Sequence, residues 1–369
     1  MYLCHISVAA CNARLLTTAQ NAFKSSTPTI AVPGSSAQWS ASQRPKKDSG
    51  LVYIAQNAAR HPDSPLEPLF RSLYIEQPSF DINSINVVTN RNNIGKLLSF
   101  INPTLTRKGL DPFTIQVEMT AQTAIFCREE TATYEVTGPG EFRGFGHEFE
   151  KASTITQVKG STGHHRIVSY RLGGLSFLVR HGTDGFCGNL EPVVKDDEST
   201  RNNLANMLAT LSLSLDTTST DETFVQSKLT TKREGRVVPR ESTLEIKTRV
   251  FHKLLKLQKV APQLRVSQTP KLIRAYHQRG KFSTPKVEDM TAAVKDWEQT
   301  HQDDISRDSL HSSIRILLVT RNWDGSSTIY YDLLKDKLMI KKIEGKKMLP
   351  DDLYSRWTKT IPHETAEKF

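Results

Sequence analysis

The stretch Leu244-Glu245-Ile246-Lys247-Thr248-Arg249 alternates apolar and polar residues. In a strand, that alternation turns Leu244 and Ile246 toward a core and puts Glu245 and Lys247 together on the opposite face. A carboxylate beside an ammonium suits metal-assisted phosphodiester cleavage. The carboxylate holds a divalent cation, and the lysine positions a water or steadies developing negative charge. Two charges on one strand equally describe an ordinary solvated edge. The pair carries chemistry only if further acidic residues arrive upstream in the right order.

Two do. Asp184 follows the apolar run Leu175–Arg180, where a strand should end, and Glu150 falls in Gly144–Lys151, which opens a helix after a Gly-Pro-Gly turn. A helix carboxylate, a strand-end Asp and a strand Glu-x-Lys supply hard oxygen ligands for Mg²⁺ or Mn²⁺ beside a lysine. Taken singly, Glu150 is a solvated helix residue and Asp184-Gly185 a turn. The ordered set outweighs any member.

The elements that must position these residues are legible in outline. Ile85–Thr89 reads as a strand, Asn90–Asn93 as a turn and cap, and Ile94–Ile101 as a helix. Phe113–Glu118 and Ala121–Arg128 look like paired strands. Gly173-Gly174 joins Arg166–Leu172 to Leu175–Arg180, a hairpin signal. Val260–Gln268 and the charged stretch from Lys286 to about Ser312 have helical periodicity, while Leu272–His277 reads as a strand. Ile314–Val319, Thr328–Tyr331 and Leu338–Ile343 suggest a closing meander. The order predicts an α+β fold with a mixed, mostly antiparallel central sheet and flanking helices.

Lys and Arg number 49 against 39 Asp and Glu, a net charge of +10 that favours a polyanionic partner. The four cysteines are scattered without a Cys-x-x-Cys pair, so a reducing compartment such as nucleus or cytoplasm fits better than a disulfide framework. No apolar run approaches the ~20 residues that cross a bilayer, and no membrane partner is expected. Residues 1–48 are rich in Ala, Ser and Thr, with no Asp or Glu before Asp48. They read as a disordered tail, with a mitochondrial presequence as the alternative. The remainder, 49–369, reads as one domain interrupted by a polar, mobile insertion at about 195–240, with Leu204–Leu215 as a helix inside it. His147, His164, His165 and His181 fit no zinc spacing and read as surface or hydrogen-bonding residues. Asp303-Asp304 and Asp351-Asp352 lack the Asp-Asp-x-x-Asp spacing of a prenyl diphosphate synthase.

The three acidic residues follow the order of the PD-(D/E)XK nuclease core. From about Ile85 to His277 the chain also resembles the decapping and 5′-end quality-control nuclease family, which processes defective RNA caps and 5′ ends. Asn90-Arg91-Asn92-Asn93-Ile94-Gly95-Lys96 stands where that family has an arginine turn and a helix with lysine. Gly146-His147-Glu148-Phe149-Glu150 matches its Gly-x-x-x-Glu motif, Gly182-Thr183-Asp184 its Glu-x-Asp, and Glu245-Ile246-Lys247-Thr248 its Glu-x-Lys-Thr. Gln268 stands for a downstream glutamine. The same motif frame resembles a set of fungal proteins.

The resemblance implies that Glu150, Asp184, Glu245 and the Ile246 carbonyl hold Mg²⁺ or Mn²⁺, and that Lys247 orients the attacking water. It implies that Arg91, Lys96 and Gln268 contact the 5′ end of RNA, and that a partner exoribonuclease binds. Two positions depart: Asn90 replaces a Trp, and Gly182 removes a carboxylate that usually stands near the metals. Weaker binding of a second metal, with slow turnover or none, is the expected consequence. A noncatalytic interaction protein and a DNA nuclease with the same core are the competing readings.

Overall fold

The computed structural model describes residues 14–22, 28–41, 44–103, 110–138, 140–172, 174–188, 222–223, 227–301, 325–344 and 347–358. Strands β1 (Arg14–Ala22), β2 (Thr29–Pro33), β3 (Gln38–Trp39) and β4 (Gly50–Tyr53) come first, then helices α1 (Gln56–Arg60) and α2 (Glu67–Glu76). Strand β5 (Val87–Asn90) runs directly into α3 (Arg91–Ile101), and β6 (Thr114–Thr120), β7 (Thr123–Glu129) and β8 (Tyr134–Thr137) follow. Helix α4 (Gly146–Ala152) and β9 (Thr154–Ile155) precede the long hairpin β10 (Ser161–Leu172) and β11 (Leu175–Gly182), which leads into β12 (Gly185–Phe186). After β13 (Glu222–Thr223) and β14 (Thr230–Glu234) come β15 (Thr243–Val250), α5 (Leu257–Ser267), β16 (Lys271–Gln278), β17 (Lys281–Phe282) and β18 (Val287–Asp289). Helix α6 (Thr291–Thr300), β19 (Ser326–Asp332), β20 (Lys337–Lys342) and α7 (Asp351–Thr358) complete the described elements.

The larger sheet has 11 strands in the order β13-β14-β2-β1-β10-β11-β5-β7-β6-β19-β20. Only β14–β2, β11–β5 and β5–β7 are parallel, so the sheet is mostly antiparallel as expected. Strand alternation divides its side chains between two cores. Val88, Ile125, Ile167 and Leu178 pack under α2 and α7 with Phe70, Leu73 and Trp357. Their chain neighbours Val87, Phe126, Val168 and Val179 pack on the other face with Ile94 and Leu98 of α3. Leu172 pairs with Leu175 at the head of the hairpin, where Gly174 has a φ of +83° that favours glycine.

The smaller sheet runs β17-β16-β15-β12-β3-β9. Leu244 and Ile246 of β15 meet Phe149 of α4, whereas Leu272 of the adjacent β16 meets Val260 and Leu264 of α5. The chain crosses from the larger sheet to the smaller between β11 and β12. Asp184 lies in that crossing.

The expectation of a disordered tail through residue 48 is corrected for residues 14–22, 28–41 and 44–48. Strand β1 pairs with both β2 and β10, and Ile30, Ala31 and Val32 are fully buried. A strand buried on both faces shows no alternation, so its small apolar residues resemble low-complexity sequence. The insertion is corrected from residue 227 onward: β14 pairs with β2, and Leu229 and Val238 are buried. The expected helix at Leu204–Leu215 and strand at Ile314–Val319 lie outside the described residues. Helix α2 was not expected at all. Its Arg71 is buried and bonds Glu67 (3.0 Å) and Asp352, which makes Asp352 a structural residue of α7. Among the described residues no helix is long and apolar enough to cross a membrane.

Candidate active site

Alternation along β15 turns Glu245 away from Leu244 and Ile246 toward α5 and the start of α3, and leaves it 2% exposed. Its Oε2 accepts from Arg91 Nη1 (3.0 Å), and its Oε1 accepts from Lys247 Nζ and Gln263 Nε2. Arg91 is placed by the abrupt passage from β5 into α3. Gln263 comes from α5, whose Val260 and Leu264 pack on Leu272 of the adjacent β16.

Asp184 is fixed by the neighbouring backbone: its Oδ2 accepts from the Ile246 N–H at 2.7 Å. The next residue must be glycine, because a Cβ on Gly185 would lie 2.8 Å from the Ala37 carbonyl oxygen. Glu150 rides on α4, whose N-terminus has no local side-chain cap. Asp48 supplies one from 98 residues away, accepting from Gly146 N–H and Glu148 N–H at 2.9 Å each. Asp48→Ala should therefore cost about 1–2 kcal/mol. Urea denaturation will measure it, and Asp48→Asn should recover most of the loss if capping is the cause.

The three carboxyls are electrostatically unequal. Burial, then Glu245, pushes Asp184 up to about 7. Burial, then Asp184 and Glu245, holds Glu150 well above the usual carboxylate range. Burial also opposes ionisation of Glu245, but Lys247 and Arg91 outweigh it and hold that carboxyl at about 2. Lys247 is raised above its ordinary value because Glu245 and Asp184 outweigh its own desolvation. At Glu150 and Asp184 burial and mutual repulsion outweigh the nearby cations, and their oxygens are of the hard type that a divalent cation takes. Among the described residues no three His, Cys, Asp or Glu side chains close on one point as ligands do. Glu245 instead commits its oxygens to Arg91, Lys247 and Gln263.

A cavity of about 710 Å³ opens over this cluster. Glu150 and Asp184 line it together with Arg91, Arg180, His165 and Asn57.

A family model described as "Domain of unknown function (DUF8563)" matches residues 5–357. The chain belongs to the DUF8563 family. No curated protein matches it. The DUF8563 chain is similar in structure to Candida albicans Rai1 in complex with pU5 and Mn²⁺, at a TM-score of 0.58 and 12% identity over 95% of both chains. Scheffersomyces stipitis Rai1 in complex with (3′-NADP)⁺ and a calcium ion gives 0.57 and 10%, again over 95% of both. S. pombe Rai1 in complex with 3′-FADP gives 0.54 and 10% over 90% of this chain and 95% of the other. The α+β nuclease-like fold expected from the motif order is the fold these proteins share.

In the DUF8563 chain, Arg91, Asp184, Glu245, Ile246 and Lys247 meet through the contacts above, and Glu150 joins them electrostatically. Lys96 does not line the cavity; its charge acts on Glu130. Gln268 is the C-cap of α5 with a φ of 54°, and its Nε2 donates to the Arg265 carbonyl. Gln263, one and a half turns earlier, is the glutamine at the carboxylates. Asn90, in the place of a Trp, accepts from Arg180 Nε at 2.9 Å. His164 and His181 are buried, at 5% and 3% exposure; His181 meets the hydrogen-bonding expectation through Nδ1 and the Gly182 carbonyl (3.0 Å), whereas His164 is neither at the surface nor, among the described residues, hydrogen-bonded through its ring. His147 is exposed.

Proposed function

We propose that this protein is a Mg²⁺- or Mn²⁺-dependent hydrolase acting on RNA 5′ ends. The observation that carries the reading is that Glu150, Asp184 and Arg91 line one cavity, with Glu245 bonded to Arg91 and to Lys247 behind its wall. The shared fold with Rai1 proteins, one in complex with pU5 and Mn²⁺, supports an RNA substrate. Glu150, Asp184 and Glu245 would hold the cation, which when bound polarises a phosphoryl oxygen and makes a bound water a better nucleophile. Lys247, kept protonated by its two acidic neighbours, donates to the water or to the oxygen on which charge develops. Arg91 lies at the cavity wall, where its fork can turn from Glu245 to a phosphate. Glu245 orients both cations and, with Gln263, is itself held in one rotamer. A partner exoribonuclease, implied by the family resemblance, belongs to the same reading.

The test is product release from 5′-capped, 5′-triphosphate and 5′-monophosphate RNA across a Mn²⁺ titration. Cleavage of at least one of them, absent in EDTA, is expected. Gly182 favours the second reading, a noncatalytic interaction protein, and uncleaved RNA in all three cases would establish it over the first.

A further inference from the structure

The part of the cavity wall beside Gly182 carries a buried cation as well as the carboxylates. The antiparallel register of β10 and β11 pairs His165 with Gly182 and Ile167 with Arg180. His165, Arg180 and Gly182 therefore share one face of the larger sheet, and all three line the cavity. Arg180 is 5% exposed. Its Nε donates to Asn90 Oδ1 (2.9 Å) and its Nη1 to the Pro65 carbonyl (2.8 Å). It makes no ion pair among the described residues, and no carboxylate is among the groups that act on its charge. Burial lowers it to about 10, so it is still a cation at neutral pH. A buried guanidinium bonded only to neutral acceptors is an uncompensated charge, and interiors rarely keep one without an anion.

The surroundings are built for such an anion. Asn57 Nδ2 donates to His165 Nε2 at 3.1 Å, which fixes the imidazole against the cavity wall. The space in front is open: a Cβ on Gly182 would meet nothing nearer than the His164 carbonyl oxygen at 4.0 Å. Side chains two residues apart on a strand are neighbours on one face, so a carboxylate at position 182 would stand beside Arg180 and neutralise it from within. Glycine leaves the cation unanswered and the space free.

We propose that this corner is an anion subsite for a phosphate or diphosphate group of the substrate, with Arg180 as its charge, His165 as its wall, and Gly182 as the gap that admits it. The subsite deepens the proposed activity and rests on it: the group to be cleaved lies at Glu150 and Asp184, and a second phosphate lies at Arg180. In this arrangement a fixed guanidinium does at the Gly182 corner what an extra carboxylate-held cation would do, neutralising phosphate oxygens without itself being lost to chelators. The missing carboxylate is then part of the recognition of substrate.

The probe is inorganic pyrophosphate, titrated calorimetrically into the full chain in EDTA, so that no metal carries the binding. Wild type should bind it saturably. Gly182→Glu should weaken that binding at least tenfold while tightening Mn²⁺ binding, measured separately, because the new carboxylate opposes one ligand and favours the other. Arg180→Lys, which keeps the charge but loses the fork, should weaken pyrophosphate as well. Should Arg180→Lys fail to fold, Gly182→Glu decides, since its side chain enters open space. Metal-free wild type that ignores pyrophosphate, or Gly182→Glu that binds it as wild type does, overturns the subsite. The activity is judged apart from it: RNA left intact in Mn²⁺ sinks the hydrolase reading even where pyrophosphate binds, and RNA cleaved by a protein blind to pyrophosphate sinks only the subsite.

Discussion

Lys247→Ala is expected to lower Mn²⁺-dependent hydrolysis of RNA 5′ ends by about 10³-fold while leaving the protein folded. The magnitude is that of removing one preorganised donor aimed at developing charge. Lys247 meets the structural requirement for such a donor. Its Nζ is bonded to Glu245, and Glu245 and Asp184 keep it protonated against the cost of burial. Glu245→Ala should be at least as inactive and also less stable. It removes the acceptor shared by Arg91, Lys247 and Gln263 and leaves two cations facing each other. Glu245→Gln separates the two losses, since it keeps the shape and several hydrogen bonds but cannot neutralise. Rates on 5′-triphosphate RNA, with circular dichroism as the check on folding, are the measurements. A folded Lys247→Ala protein retaining more than about a tenth of the activity would remove Lys247 from the chemistry.

The second large effect is acid lability. Burial, with Arg180 and Arg60 adding, lowers His61 to about 4. Burial, then Arg180 for His165 and Arg91 for His181, lowers each of these two to about 3. Burial, then Arg166, holds His164 well below its ordinary value. A base whose folded pKa is depressed binds its proton only when the chain unfolds, so stability is present above about 6.5 and is lost as pH falls toward the folded value. Asp184 and Glu150 act in the opposite sense, because a carboxyl raised by folding stabilises the folded state as pH falls through its folded value, about 7 for Asp184. The four histidines outnumber the two acids. Unfolding near pH 5 should take up about two protons, and stability should drop by roughly 3 kcal/mol per pH unit below pH 6. Well above pH 6.5 the histidines no longer contribute, and the metal-free protein should weaken gently toward pH 8 as Asp184 ionises. Urea midpoints in EDTA from pH 4.5 to 8 will show the resulting maximum. A midpoint that stays level or rises between pH 6 and 5 contradicts the buried neutral histidines.

Much of the site was legible because its chemistry lies on regular elements. The alternation of Leu244 to Lys247 placed Glu245 and Lys247 correctly, and the order of Glu150 and Asp184 along the chain brought both to the same cavity. What could not be read are pairings between distant segments. Nothing local to Asp48 says that it caps α4, or that Asn57 meets His165 and Asn90 meets Arg180. Motif spacing chose Gln268, whereas the phase of α5 brings Gln263 to Glu245 and uses Gln268 to end the helix. The meander at β19 and β20 was visible from its alternation. Helix α2 was not, because a helix buried through most of its circumference has no polar face to mark its period.

Strand β1 lies between β2 and β10 in the middle of the larger sheet, and this has a bearing on how the protein is made. The β10 partner is synthesised well over a hundred residues after β1, so that pairing is of high contact order and must wait. Until then β1 and β2 are an unpaired ribbon on the nascent chain, the kind of segment that holdase chaperones keep from aggregating. Trimming the chain at residue 49 would make the same vulnerability permanent. It would strip β14 of its partner, bare the β10 edge, and invite neighbouring copies to pair along it.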